Sequence, residues 1–482
     1  MDLHVRLGGR GDLAEQIFRQ VLEAILDGRL RPGERLPPSR ALAARLSVSR
    51  NTVGVAYERL AAEGVIEGRV GAGSFVIPGP LPARPAGRAP SGVVAPRAAF
   101  KALPVVRQPP PVDVRFDFGI GTPDHALFPL TVWRRFVAAA LRGSAEDYST
   151  YRHPAGHPAL RAAVARHAGV SRAVRASADD VVLTDGAQQA FDLVGRVLIS
   201  PGLRVAVEDP GYTRPRLLFE SLGARIAGVP VDDEGLRVDR LPPSARLVYV
   251  TPSHQFPTGV IMSLRRRMAL LDWADRAGAV IVEDDYDTEF RFGGRPLDPL
   301  QSLDRSGRVV YVGSFSKVLL PGLRQGFLVA PASLQPALQA ARQLTDWHGD
   351  VTTQAALARF IDSGRLARHI RVVTRVYADR YARIAAGIDR HLARWLAVVP
   401  SSAGMHVAAL VHRGVAVQAA DVVDAAARRG LRLHALADFA VRPPAMNGIV
   451  LGFGAIPAAR IDAGLALLAR VFAASDRAAA RG

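Results

Sequence analysis

Between residues 12 and 28 the apolar side chains Leu13, Ile17, Val21, Leu22, Ile25 and Leu26 recur at helical spacing, and Gly28 stands where such a helix would stop. Pro32-Gly33 then marks a turn, and Pro37-Pro38-Ser39 offers an N-terminal cap for a short helix over Arg40 to Leu46. After the Ser47-Val48-Ser49 turn a third helix is expected from Arg50 to about Glu63. Gly64 ends it, and Val65-Ile66-Glu67 with Gly68-Arg-Val-Gly-Ala-Gly-Ser-Phe-Val-Ile77 reads as a two-stranded wing with glycines at its tip. This organises residues 11–78 as one small domain. From Pro78 to about Val112 the periodicity disappears into prolines, alanines and isolated arginines, so residues 79–112 read as a flexible linker.

Residues 113–476 carry a different pattern. Short apolar runs alternate with helical stretches, among them Val181-Val-Leu183, Arg204-Val-Ala-Val207, Leu247-Val-Tyr-Val250, Val280-Ile-Val282, Val309-Val-Tyr-Val312 and Phe327-Leu-Val-Ala330. Each is followed by a loop rich in Gly, Pro, Ser or Asp. The pattern predicts an α/β body: a mostly parallel sheet with helices on both faces and functional loops at the strand ends. A smaller C-terminal α/β part is expected from about residue 336.

Composition narrows the class. A chain of 482 residues is too long for one compact core. No cysteine is present, which excludes a disulfide framework or thiolate metal site and fits a reducing, cytoplasmic compartment. No signal peptide is visible, and no apolar run is long enough to cross a bilayer, so no membrane role is expected. The net charge of +18 comes largely from arginine and favours an anionic partner such as nucleic acid.

The head supplies the geometry for such a partner. Helix, turn and helix, with Ser49, Arg50, Asn51 and Thr52 opening the second, is the arrangement that puts a helix N-terminus into a DNA major groove. Arg50 can bond a guanine edge in two places, whereas Ser49, Thr52 and the wing amides suit phosphates. Over residues 11–78 the chain resembles the GntR-type winged helix-turn-helix. The resemblance rests on Leu30-Arg-Pro-Gly-Glu-Arg-Leu-Pro-Pro-Ser-Arg40, Val48-Ser-Arg-Asn-Thr-Val53, Ala56-Tyr57 and Gly71-Ala-Gly73. It implies double-stranded DNA with paired half-sites as partner, contacted by Arg40, Ser49, Arg50, Thr52, Gly71 and Gly73.

In the body, Lys317 lies in Gly313-Ser-Phe-Ser-Lys-Val-Leu-Leu-Pro-Gly-Leu-Arg324. A lone amine framed by hydroxyls and a downstream arginine suits an aldehyde-bearing, phosphorylated cofactor. A Schiff-base lysine must lose its proton, which burial and nearby positive charge favour, while Ser314, Ser316 and Arg324 suit a phosphate. Thr184-Asp-Gly-Ala-Gln-Gln189 opens a helix whose free amides could cradle that phosphate. Glu208-Asp-Pro-Gly-Tyr212 brings an aromatic ring, and Glu283-Asp284-Asp285-Tyr286 brings acids to the end of an apolar strand. A carboxylate there would keep a pyridine nitrogen protonated.

These loops resemble the fold-type I aminotransferases and, more narrowly, the MocR-type regulators that join a GntR-type head to such a body. The most specific stretches are Tyr249-Val-Thr-Pro-Ser-His-Gln-Phe-Pro-Thr-Gly259, Glu283-Asp-Asp-Tyr-Asp-Thr-Glu-Phe290, Leu300-Gln-Ser-Leu-Asp304 and the Lys317 segment. The resemblance implies pyridoxal 5'-phosphate bound covalently by Lys317. Asp284 would then sit on the pyridine nitrogen, Tyr286 near the ring hydroxyl and Tyr212 against the ring, with Gly186, Ala187, Ser314 and Arg324 on the phosphate. His254 and Gln255 are expected near the ring. Tyr151, in Tyr151-Arg-His-Pro-Ala-Gly156, resembles a residue that family members lend across a head-to-tail homodimer.

One departure matters. Amino-acid transaminases of the family hold the substrate carboxylate with an arginine in the C-terminal part. The corresponding stretch here, Gly452-Phe-Gly-Ala-Ile-Pro457, has none, although Arg214 could bind an acid and Arg442 could substitute. The expectation is therefore a transcription regulator and not an enzyme, bacterial and cytoplasmic. In it pyridoxal phosphate, alone or with an amine effector, controls promoter binding, in the manner of the PdxR type that governs vitamin B6 genes. The alternatives are a working aminotransferase with a DNA-binding head and a regulator of amino-acid or amine catabolism. A dimerisation module without cofactor is disfavoured by Lys317, Asp284 and Arg324.

Overall fold

In a computed structural model the described residues are 5–8, 11–77, 95–103, 114–142, 149–293, 298–443 and 446–480. The chain divides into two compact units, Met1–Ala95 and Pro96–Gly482. Of the stretch read as a linker, residues 95–103 are described and hold a short helix, Ala98–Ala102; the rest lies outside the described residues.

The first unit is built on three helices, Leu13–Leu26, Ser39–Leu46 and Arg50–Ala62. Asp12 caps the first by accepting from the amides of Ala14 and Glu15. The second begins one residue earlier than the capping pattern suggests: Ser39 is already helical, no side chain caps the end, and Pro38 alone fixes the entry. Ser47 ends it in the left-handed region at φ 55°, which turns the chain into the third helix. Ile17, Val21, Ile25, Leu42, Val53 and Leu60 are fully buried where the helices meet. Strands Ile66–Arg69 and Gly73–Val76 pair antiparallel, Ile66 opposite Val76, and form the expected wing.

The second unit carries an eight-stranded sheet. Its spatial order is Val181–Thr184, Gly326–Val329, Val309–Ser314, Val280–Asp285, Ala245–Val250, Arg204–Asp209, Arg225–Asp232 and Gly235–Leu236. Gly326–Val329 runs antiparallel to both its neighbours, and Gly235–Leu236 is an antiparallel edge; the other pairings are parallel. Nearly every residue of the inner strands is buried, as continuous apolar runs require when helices cover both faces. Helices Gln335–Asp346, Val351–Asp362 and Arg365–Leu392 lead to a four-stranded C-terminal sheet, ordered Leu396–Val398, His406–Val411, Gly448–Gly452, His434–Ala435. The start of this unit also joins its C-terminal part: Phe116–Asp117 pairs in parallel with Leu431–Arg432, and Asp117 is ion-paired to Arg432. No described helix is long and apolar enough to cross a membrane.

Candidate functional site: a cavity in the body and an exposed helix start in the head

In the head, Ser49 adopts an extended conformation and its hydroxyl accepts from the Thr52 amide at 3.0 Å, with the two hydroxyls 2.8 Å apart. Ser49 therefore caps the third helix as well as standing at its exposed N-terminus. Arg40 and Arg50 are exposed, and neither is ion-paired to another described residue. The first turn of the third helix holds no acid. The helix dipole and both guanidinium groups thus offer positive charge outward. Gly71 and Gly73 lie at the wing tip with φ of 74° and 104°, and a Cβ on Gly73 would come within 3.1 Å of Arg35 Nε. Glycine at position 73 is dictated by that approach and by the turn, apart from any contact with a ligand.

In the body, the loops after the strands converge on a cavity of about 700 Å³. Ala187, Tyr212, Arg214, Asp284, Tyr286, Ser314, Lys317 and Arg324 line it together, although they come from well-separated segments. Lys317 follows the strand Val309–Ser314, and its amine donates to the Gly121 carbonyl at 2.7 Å. Burial holds the Lys317 amine below the ordinary lysine range; Asp287 and Asp284 oppose this, and Arg214 adds to it.

Asp284 is the next-to-last residue of the neighbouring strand Val280–Asp285 and is buried. Its Oδ2 accepts from the Tyr249 hydroxyl at 2.5 Å, and its Oδ1 is buried with no hydrogen-bond partner. Burial pushes the Asp284 carboxyl up to about 7, and Asp285 and Asp287 add to that, against the pull of the Tyr249 hydrogen bond and Lys317. A cationic N–H in the cavity would satisfy the free oxygen and draw the carboxylate back to its charged form. Tyr212 packs edge to face on Phe256 with ring centroids 5.3 Å apart, and burial pushes its phenol up to about 12.

The opposite end of the cavity is built for an anion. Helix Ala187–Leu198 starts at Gly186, φ 81°, with no side-chain cap; the Gln189 amide donates to the Gly186 carbonyl at 3.2 Å, and the amides of Ala187 and Gln188 are left for another acceptor. Arg324, itself at φ 49°, lays its guanidinium across this loop and donates to the Asp185 carbonyl. A Cβ on Gly186 would stand 2.8 Å from Arg324 Nη2, and one on Gly326 would stand 2.9 Å from Gly186, so both glycines make room for the cradle. Ser314 Oγ accepts from the Ser316 amide at 3.1 Å, which steadies the turn into Lys317.

Sequence reasoning missed several members. Tyr249 lay inside a stretch noted for resemblance, yet nothing marked its hydroxyl as the partner of Asp284. Asp287 and His406 also line the cavity. His254 Nδ1 lies 2.9 Å from Asp287 Oδ1 and 3.1 Å from the Tyr286 hydroxyl, which donates to the His254 carbonyl at 3.0 Å. Burial of Asp287 works to raise its carboxyl, but His254 beside it, through charge and hydrogen bond, holds it below the usual range. Burial keeps His406 neutral, its pKa down at about 3, and its Nε2 lies 3.1 Å from the Pro257 carbonyl. Gln255 turns away from the cavity, donating to the Pro210 carbonyl at 2.9 Å and tying this loop to Glu208.

Two expected residues lie elsewhere. Tyr151 is 71% exposed, is absent from the cavity lining, and stacks on Trp347 with ring centroids 4.1 Å apart. Arg442 is exposed and off the cavity; the described arginines that line it are Arg214 and Arg324. The C-terminal stretch Gly452–Pro457 does have a buried arginine behind it, Arg380. It donates to the Phe453 and Gly454 carbonyls and pairs with Asp124, so it braces the loop and does not line the cavity.

A winged helix-turn-helix joined to an aminotransferase fold defines a class of transcription regulator. Residues 13–76 match the bacterial regulatory proteins of the gntR family, and residues 115–434 match aminotransferase class I and II. The probable rhizopine catabolism regulatory protein MocR of Rhizobium meliloti is 36% identical over 96% of this chain and 94% of its own. The pyridoxine biosynthesis transcriptional regulator PdxR of Corynebacterium glutamicum is 32% identical over 91% of each. Among solved structures, a kynurenine aminotransferase of Pyrococcus horikoshii, in complex with PMP, superposes with a TM-score of 0.70 at 27% identity, over 75% of this chain and 91% of the enzyme. The chain belongs to the MocR-type regulators of the GntR superfamily.

Proposed function

We propose that the body takes pyridoxal 5'-phosphate on Lys317 and that this loading, alone or with an amine effector, governs how paired heads engage half-sites in a promoter. The observation that carries the reading is the unpartnered, buried Asp284 Oδ1 in the same cavity as a deprotonation-prone lysine and an uncapped helix start. These residues fit the cofactor. Gly186, Ala187, Ser314 and Arg324 would hold its phosphate, Asp284 its ring nitrogen, and Tyr212 its ring face. When bound, pyridoxal phosphate supplies an aldehyde that condenses with an amine and a ring that withdraws electrons. The chain's own part is to favour the neutral form of the Lys317 amine, to keep a carboxylate at the ring nitrogen, and to set Tyr212 and Phe256 against the ring. Tyr151, exposed on its own subunit, is proposed to complete the phosphate site of a second subunit in a homodimer.

The ligand reading favours a signal without an amino-acid carboxylate. With Arg324 assigned to the phosphate, Arg214 is the other described arginine lining the cavity, and no described C-terminal arginine reaches it. This suits pyridoxal phosphate as the signal itself, with vitamin B6 synthesis genes as targets. An amine effector is the second reading, favoured by likeness to a relative named for rhizopine catabolism. The test is affinity for the chain's own upstream promoter, measured with pyridoxal phosphate, with candidate amines, and with neither. A change of affinity without sustained turnover of amino donors and oxo-acids is expected; sustained turnover with unchanged affinity overturns the regulator reading in favour of an aminotransferase.

A pH dependence follows from the lysine. Attack on an aldehyde needs the neutral amine, and a lowered pKa keeps that form populated at lower pH than in free lysine. The rate of cofactor capture, followed by visible absorbance, should reach half its maximum below the ordinary lysine range. A midpoint at the ordinary lysine value would show that burial does not tune Lys317.

A further inference from the structure

The loop that would hold the cofactor phosphate is bound to the protein surface through a closed ring of polar contacts. Arg342 is fully buried; its Nη2 lies 3.2 Å from Asp185 Oδ2, and its Nε lies 3.1 Å from Asp346 Oδ1. Gln189 closes the ring: its Oε1 accepts from the Asp185 amide at 2.7 Å, and its Nε2 donates to Asp346 Oδ2 at 2.6 Å. Asp185 is the residue before Gly186, and its carbonyl accepts from Arg324. A buried guanidinium between two carboxylates is costly to leave half-paired, so displacement of one acid is felt by the other.

Beyond Asp346 the chain enters a strained turn. Trp347 sits at φ 68°, ψ −66°, and the His348 amide closes a γ-turn on the Asp346 carbonyl at 2.8 Å. This conformation is rare for a bulky residue and persists only where neighbours hold it. Two residues on, Gly349 approaches Gln354 and Asp185. A Cβ on Gly349 would stand 2.6 Å from Gln354 Nε2 and 2.9 Å from Asp185 Oδ1, so the turn is pressed onto the phosphate loop. On its outer side Trp347, 42% exposed, carries the stacked and more exposed Tyr151.

We propose that Arg342 is a positioning residue that ties the loop Asp185-Gly186-Ala187 to the Tyr151–Trp347 stack, so that filling the cavity with pyridoxal phosphate shifts that stack within its own subunit, on the face proposed above to meet a second subunit. The inference rests on the reading of the cavity as a pyridoxal phosphate site. A phosphate at Gly186 and Ala187 shares Arg324 with the Asp185 carbonyl. The change in Asp185 passes through Arg342 and Gln189 to Asp346, and the turn at Trp347 is the strained element it biases. The surface read out by this route is the one that presents Tyr151.

The test uses the full chain with 5-fluorotryptophan in place of tryptophan and fluorine NMR, the Trp347 resonance being assigned with Trp347→Phe. Pyridoxal phosphate should move the Trp347 resonance more than those of Trp273 and Trp395. In Arg342→Met that shift should be lost while the visible absorbance of the loaded lysine remains. Asp346→Asn, which leaves the buried arginine in place, should lose it too and serves if the methionine variant fails to fold. Arg342→Lys, which keeps charge without the fork, should restore only part of it. A Trp347 resonance that ignores pyridoxal phosphate in a wild type with full visible absorbance overturns the coupling, as does a full shift in Arg342→Met. No visible absorbance in the wild type overturns the cofactor reading instead.

Discussion

Lys317→Ala is expected to abolish the visible absorbance that pyridoxal phosphate gives with the wild-type protein, and with it the effect of the cofactor on promoter binding. The amine at this position approaches the Gly121 carbonyl at 2.7 Å and shares its cavity with Asp284 and Arg324. Alanine removes the only lysine among the described lining residues while leaving the phosphate cradle and Asp284 in place. Some non-covalent binding should survive, and thermal stability separates the two components. A ligand at one hundred times its Kd stabilises the folded state by about 2.7 kcal/mol. At a fixed concentration of pyridoxal phosphate the wild type should gain more in melting temperature than the variant. Equal gains would mean that the covalent link is not what holds the cofactor.

Arg50→Ala carries the second large effect, on the other unit. Arg50 is exposed at the first position of its helix, no described acid pairs with it, and Ser49 caps the helix start beside it. Removing a bidentate hydrogen bond to a base edge should weaken specific promoter binding by roughly 1–3 kcal/mol and relax discrimination at one base pair. Non-specific binding should fall far less. The helix itself should survive, because its cap and the buried Val53 and Leu60 are untouched. Promoter affinity equal to wild type would remove Arg50 from the recognition surface.

How much of this was legible in the sequence depended on whether the signal was contiguous. The head could be read almost residue by residue, since helix spacing, turn glycines and wing alternation are all local. Its one misreading, Ser39 as a cap, arose because Pro38 sets the helix entry without any side-chain acceptor. In the body, Lys317, Asp284 and Gly186 each sit at a strand end, so the loops announced them. The His254, Asp287 and His406 cluster could not be read, because His406 comes from a C-terminal strand that folds back over the loops. Arg342 and Arg380 were hidden differently. In a chain with 62 basic residues, nothing local separates a fully buried arginine from a solvated one. The pairing of Phe116–Asp117 with Leu431–Arg432 was invisible for the same reason as most long-range strand pairs: two residues carry no period.

The packing behind the cavity also limits which side chains the C-terminal loop can carry. A Cβ on Gly452 would collide with the Gly119 carbonyl oxygen, and one on Gly454 would collide with that of Thr122. Backbone has closed over both positions, and Arg380 locks the loop from behind through the Phe453 and Gly454 carbonyls. An arginine introduced at either glycine would strike main chain before it could reach a ligand. No single codon change at those two positions can therefore supply a carboxylate-binding arginine without moving main chain.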